Sequence, residues 1–174
     1  MLTTGVRITV VCEFWELEAE GQHFYPRPFR RQTMGSYLYC DLLKQDSNEK
    51  LKTFSHLSWY TKDFFQDPTD YRVYNLDFPV LEMGVETKPL TGLNDVEQQI
   101  PCISFNYHDF KALLDALHTV KYSIQQAHNK RPCDLTLIEE YTNVKNVIEE
   151  LTYCFLYCKY ELGGENTVFK FYIL

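Results

Sequence analysis

Cys154 and Cys158 stand four residues apart, a spacing that puts both thiols on one face if the segment is helical. A zinc site there needs two more ligands, and Cys133 and His128 are the nearest in sequence. Paired zinc cysteines are usually closer together, so packing among Phe155, Leu156 and Tyr157 is the simpler account. Asp77 followed by Glu86-Thr87-Lys88 offers a second chemistry: paired carboxylates that hold Mg²⁺ beside a lysine can activate water, as in a nuclease. Lys88 precedes Pro89 in what reads as a loop, where a solvated charge run is the plainer expectation. His56-Leu57-Ser58 matches half of a two-histidine phosphoesterase signature, but His118-Thr119-Val120 does not supply the second His-x-Ser/Thr. A glycine-rich phosphate loop, a nucleophile elbow and a His-Glu-x-x-His helix are all absent from the sequence. The balance is against an enzyme, with no cofactor and no metal expected.

Binding chemistry is better represented. Between Gln22 and Gln32, Phe24, Tyr25 and Phe29 interleave with Arg27, Arg30 and Arg31 around Pro26 and Pro28. Such a loop can stack bases on its rings and contact phosphates with its guanidinium groups. Tyr, Phe and Arg are also enriched at protein interface hot spots. The alternative is structural: the rings anchor the loop and the arginines pair with nearby carboxylates. A net charge of −7 disfavours broad nucleic-acid contact, although a local basic patch can override the mean.

These side chains must be positioned by a chain of 174 residues, enough for one domain with a real core. With 13 Tyr and 12 Phe, that core should be aromatic-rich. Strands are expected over Val6–Glu18, Tyr37–Leu43, Phe54–Tyr60 and Tyr71–Phe78, with Val80–Val85 continuing the sheet and a polar loop over Lys88–Gln99. After Pro101, Cys102–Phe105 reads as a short strand that runs straight into a capped helix. Asn106 is its N-cap, and Phe110, Leu113, Leu114, Leu117, Val120 and Ile124 are its apolar stripe. Arg131, before Pro132, ends it. Asp134 caps a second helix with a stripe of Leu137, Ile138, Tyr141, Val144, Ile148 and Leu151. Residues 152–162 fit either more helix or one arm of a hairpin turning at Gly163-Gly164. Thr167–Leu174, with Val168, Phe169, Phe171, Tyr172 and Ile173, is a closing strand.

Strands followed by helices predict an α+β domain spanning 1–174, with a largely antiparallel, aromatic-rich sheet, two amphipathic helices (about 106–128 and 134–157) and a C-terminal strand. The six cysteines (Cys12, Cys40, Cys102, Cys133, Cys154, Cys158) read as buried free thiols. With no apolar run long enough to span a bilayer, the expectation is a soluble intracellular protein, cytoplasmic or nuclear, with no membrane partner.

The stretch Ile103-Ser104-Phe105, a polar cap, then Phe110, Leu113, Leu117, Val120 and Ile124, resembles the closing strand and helix of the positive-cofactor-four family of single-stranded-DNA-binding coactivators. The resemblance covers residues 101–128. It implies a curved antiparallel sheet that grips single strands, with Tyr71–Val85 supplying earlier strands, and a homodimer through the Phe110–Ile124 helix. The basic residues that family uses on its sheet are poorly represented here, because Asp70, Asp77, Glu82 and Glu86 dominate the strands upstream. The sequence therefore predicts a non-catalytic binding module. Its ligand is single-stranded nucleic acid or a protein, met through a sheet and residues Phe24, Tyr25, Arg27, Phe29, Arg30 and Arg31. A protein–protein adaptor or a viral or phage assembly subunit is the alternative, and a metal-dependent nuclease or phosphoesterase ranks below both.

Overall fold

A computed structural model describes residues 36–89 and 97–174, which belong to one compact unit. Val6–Glu18 and the aromatic-arginine loop lie outside the described residues. The described fold is α+β. Its elements in chain order are β1 (Leu38–Lys44), β2 (Lys50–Leu57), α1 (Trp59–Gln66), a 3-10 segment (Pro68–Tyr74), β3 (Gly84–Pro89), β4 (Glu97–Asn106), α2 (Tyr107–Lys130), α3 (Leu135–Glu161) and β5 (Thr167–Ile173). The five strands form one antiparallel sheet in the order β2-β1-β5-β4-β3.

Alternation along β5 explains its two faces. Phe169, Phe171 and Ile173 pair in register with Leu42, Cys40 and Leu38 of β1 and point to the helices. Phe110 of α2 stacks on Phe169 with ring centroids 4.1 Å apart, and Phe155 of α3 stands 6.4 Å from the same ring. Phe65 of α1 lies 4.5 Å from Phe171. This aromatic layer is the core.

The capped junction forms as the sequence predicts: the Asn106 side chain accepts from Asp109 N–H at 2.8 Å, and Arg131 N–H closes the helix on Ala127 and His128 carbonyls. The stripe from Phe110 to Ile124 packs inside the unit, with Phe110, Leu113, Leu117 and Val120 fully buried.

Pro101 lies inside β4, which begins earlier than expected, at Glu97. Among the described residues, β4 is paired there only with β3; pairing with β5 starts at Cys102. A residue without an N–H is tolerated where a strand lacks its second neighbour.

Four local expectations change. The strand read over Phe54–Tyr60 stops at Leu57, because Thr61, Phe64 and Phe65 bury one side of an extra helix, α1. The strand read over Tyr71–Phe78 is instead the 3-10 segment and an irregular stretch. Pro68 sets its first turn, and Tyr71 packs edge-on to Phe64 at 5.0 Å and stacks on Phe78 at 6.1 Å, contacts that override β propensity. The sheet resumes at Gly84 rather than Val80 and takes in Lys88 and Pro89, the start of the expected polar loop. The second helix runs to Glu161, because Phe155 and Cys158 continue its buried stripe, and the chain then reverses through Gly163 and Gly164 at φ of 76° and 78°.

Candidate functional site

Phe24, Tyr25, Arg27, Phe29, Arg30 and Arg31 lie outside the described residues. The other residues that the sequence singles out are placed, and the fold does not gather them into one centre. Among the described residues, no group of three or more His, Cys, Asp and Glu is arranged to hold a metal ion.

Cys154 and Cys158 do share a helical face, but the face is turned into the core, where both are fully buried. Cys154 meets Cys40 of β1, and burial pushes the Cys40 thiol well up. The Cys158 thiol faces the Gly164 carbonyl at 3.6 Å and is also pushed up by burial. Thiols held protonated in this way are inert packing groups. Cys133 is exposed in the turn between α2 and α3. His128, at the end of α2, lines a cavity of about 250 Å³ with Gln125, Asn129, Ile138 and Tyr141.

Glu86 meets cations rather than a second carboxylate. Lys170 of β5 donates to it at 2.6 Å, and Lys88 lies at 3.7 Å. The Lys170 hydrogen bond holds the Glu86 carboxyl below its usual range. His56 sits at a bulge in β2 with φ of 58°, between the rings of Tyr37 (4.6 Å) and Tyr39 (5.6 Å). Tyr39 in turn stacks on Tyr172 of β5 at 5.4 Å. Beneath this row Asp41 accepts from Thr53 Oγ1 at 2.6 Å and pairs with Lys50 at 2.8 Å. On the sheet face away from the helices, three described lysines (Lys50, Lys88, Lys170) are thus matched to Asp41 or Glu86.

The other notable surface is on α3. Tyr153, Leu156 and Tyr160 are 64%, 42% and 71% exposed. At 3.6 residues per turn they fall within an arc of roughly 60°. Phe54 of β2 supports this side of the helix, meeting Tyr153 and Tyr157 edge-on at 5.7 and 5.5 Å. Lys52 reaches over the Tyr157 ring at 5.4 Å, and Lys159 over Tyr160 at 5.3 Å. The signal was in the sequence as a second period on the back of the buried stripe, but it becomes readable only once residues 152–161 are known to be helical.

No protein-family model, no curated protein and no solved structure matches this chain. The site and the fold therefore carry the functional argument by themselves.

Proposed function

We propose that this chain is a non-catalytic protein-binding module that works through the outer face of α3. The observation that carries the reading is the exposure of Tyr153, Leu156 and Tyr160 on one arc of a helix whose opposite face is fully buried. Single exposed apolar residues are ordinary, whereas aromatic and aliphatic side chains aligned on a rigid element are what partner surfaces are built from. The charge pairs on the far sheet face support protein over single-stranded nucleic acid, because phosphate contact needs lysines not already matched to carboxylates.

The test is cross-linking and affinity capture from the native source, followed by reconstitution with the purified partner. The expected partner binds wild type and is lost by the variant Tyr153→Ala/Leu156→Ala/Tyr160→Ala, whose thermal unfolding stays close to wild type because all three residues are exposed. A partner fully retained by that variant would remove this face from the reading. A captured single-stranded oligonucleotide, released steeply by salt, would return the nucleic-acid reading to first place.

A further inference from the structure

We infer that the α3 face takes an acidic amphipathic protein segment, one that presents aliphatic side chains flanked by carboxylates. The inference rests on the protein-binding reading above and names the chemistry of the partner. Its ground is the charge around the apolar arc. Lys159 stands on one flank of Tyr153, Leu156 and Tyr160, while Lys52 reaches in from β2 over Tyr157 on the other. Neither lysine is paired with a carboxylate among the described residues, in a chain whose net charge is −7. The lysines that are paired serve Asp41, Glu86, Asp115 and Glu149. Glu149, one turn before Tyr153, is matched by Lys145, and Glu161 follows at the end of the helix, so Lys52 and Lys159 are the unmatched cations on the two flanks of the strip, complementary to leucine-like side chains with glutamate or aspartate beside them.

Other occupants fit less well. A second copy using the same face would bring Lys52 and Lys159 toward the same two lysines of the other copy, since a two-fold interface sets a patch against itself. An anionic bilayer attracts polybasic segments, and two lysines on a chain of net charge −7 oppose that.

The experiment uses the full chain and two fluorescein-labelled helical peptides, each with leucines at i, i+3, i+4 and i+7. One has glutamates beside the leucines and the other has lysines. The glutamate peptide should bind in fluorescence anisotropy and weaken as salt is raised, and the lysine peptide should not bind. Lys52→Ala/Lys159→Ala, which alters only exposed residues, should weaken the glutamate peptide about five-fold. Equal binding of the two peptides, lost together in the Tyr153/Leu156/Tyr160 alanine variant, would overturn the acidic partner and leave the protein-binding face standing. Three other results would overturn the inference. These are no binding of the glutamate peptide, binding to phosphatidylserine vesicles in its place, and a wild-type dimer in sedimentation that the alanine variant dissolves.

Discussion

Glu150 of α3 accepts the Ser58 backbone N–H at 2.8 Å, although the two residues are 92 apart in sequence. The same carboxylate accepts from Ser58 Oγ at 2.8 Å and from Thr61 Oγ1, whose residue is fully buried. Ser58 occupies the N-cap position of α1, but its own side chain makes no capping bond there. Another helix therefore satisfies the N-cap N–H and sets a fixed carboxylate at the positive end of α1. Glu150→Ala would leave the Thr61 hydroxyl and the α1 entry unsatisfied. It should cost about 2–3 kcal/mol in urea unfolding and speed amide exchange through the first turn of α1. Unchanged protection of those amides would show that α1 stands without the tie.

The two glycines after α3 have the same backbone sign but different surroundings. A Cβ on Gly164 would sit 3.2 Å from the Tyr107 ring, whereas one on Gly163 would meet open space. Gly163→Ala should cost about 1 kcal/mol, for the positive φ alone. Gly164→Ala should cost clearly more, because Tyr107 also stacks on Phe155 and has little room to yield. Thermal unfolding of the two variants side by side decides this, and an equal loss would contradict it.

Glu86 titrates below its usual range because Lys170 donates to its ionised form. A depressed carboxylate stabilises the fold above its unfolded value of about 4.3 and loses that contribution as pH falls through the folded value. Glu86 is 39% exposed, so solvent screening keeps the effect small, at or below about 1 kcal/mol. Glu86→Gln should flatten part of the acid limb of a stability–pH curve and change little at neutral pH. A variant curve parallel to wild type down to acid pH would show that the pair is energetically silent.

Tyr172 is pushed up to about 12, first by burial and then by the nearby Asp41 carboxylate. A raised phenol adds stability that is fully present below the unfolded value of about 10 and is lost as pH rises through the folded one. In an alkaline absorbance titration, the difference between wild type and Tyr172→Phe should therefore show a phenolate forming near 12. Asp41→Asn should bring that transition down only in part, since burial is the larger cause. A transition at the ordinary phenol value would mean that this sheet face opens before it ionises.

The strongest sequence signals were periodic and local. Asn106, the stripe from Phe110 to Ile124 and the closing strand could be read because each pattern is completed within its own element. The helix at Trp59 was not, since its N-cap N–H is satisfied by Glu150 and its apolar side spans only Thr61, Phe64 and Phe65. Tyr71 and Tyr74 suit a strand equally well, because Val73 repeats the side of Tyr71 while Leu76 and Phe78 repeat that of Tyr74. Their real partners, Phe64 and Glu140, lie in other elements. On α3, residues 153–160 carry two helical periods at once, one buried and one exposed, and a reading that allows only one apolar face sees neither clearly.

The strand order has a consequence for assembly. β5 is the last element in chain order and the middle of the sheet, joining β1 on one side to β4 on the other. As the chain emerges, the segments of the β1–β2 and β3–β4 pairs both precede the strand that joins them, and the α2–α3 pair precedes the central strand it packs on. Seven residues, Thr167–Ile173, turn two half-sheets into one. Long-range pairing of this kind is slow, so among the described strands the keystone of the arch is laid last, and the edges of β1 and β4 that it pairs stand open to it until it arrives.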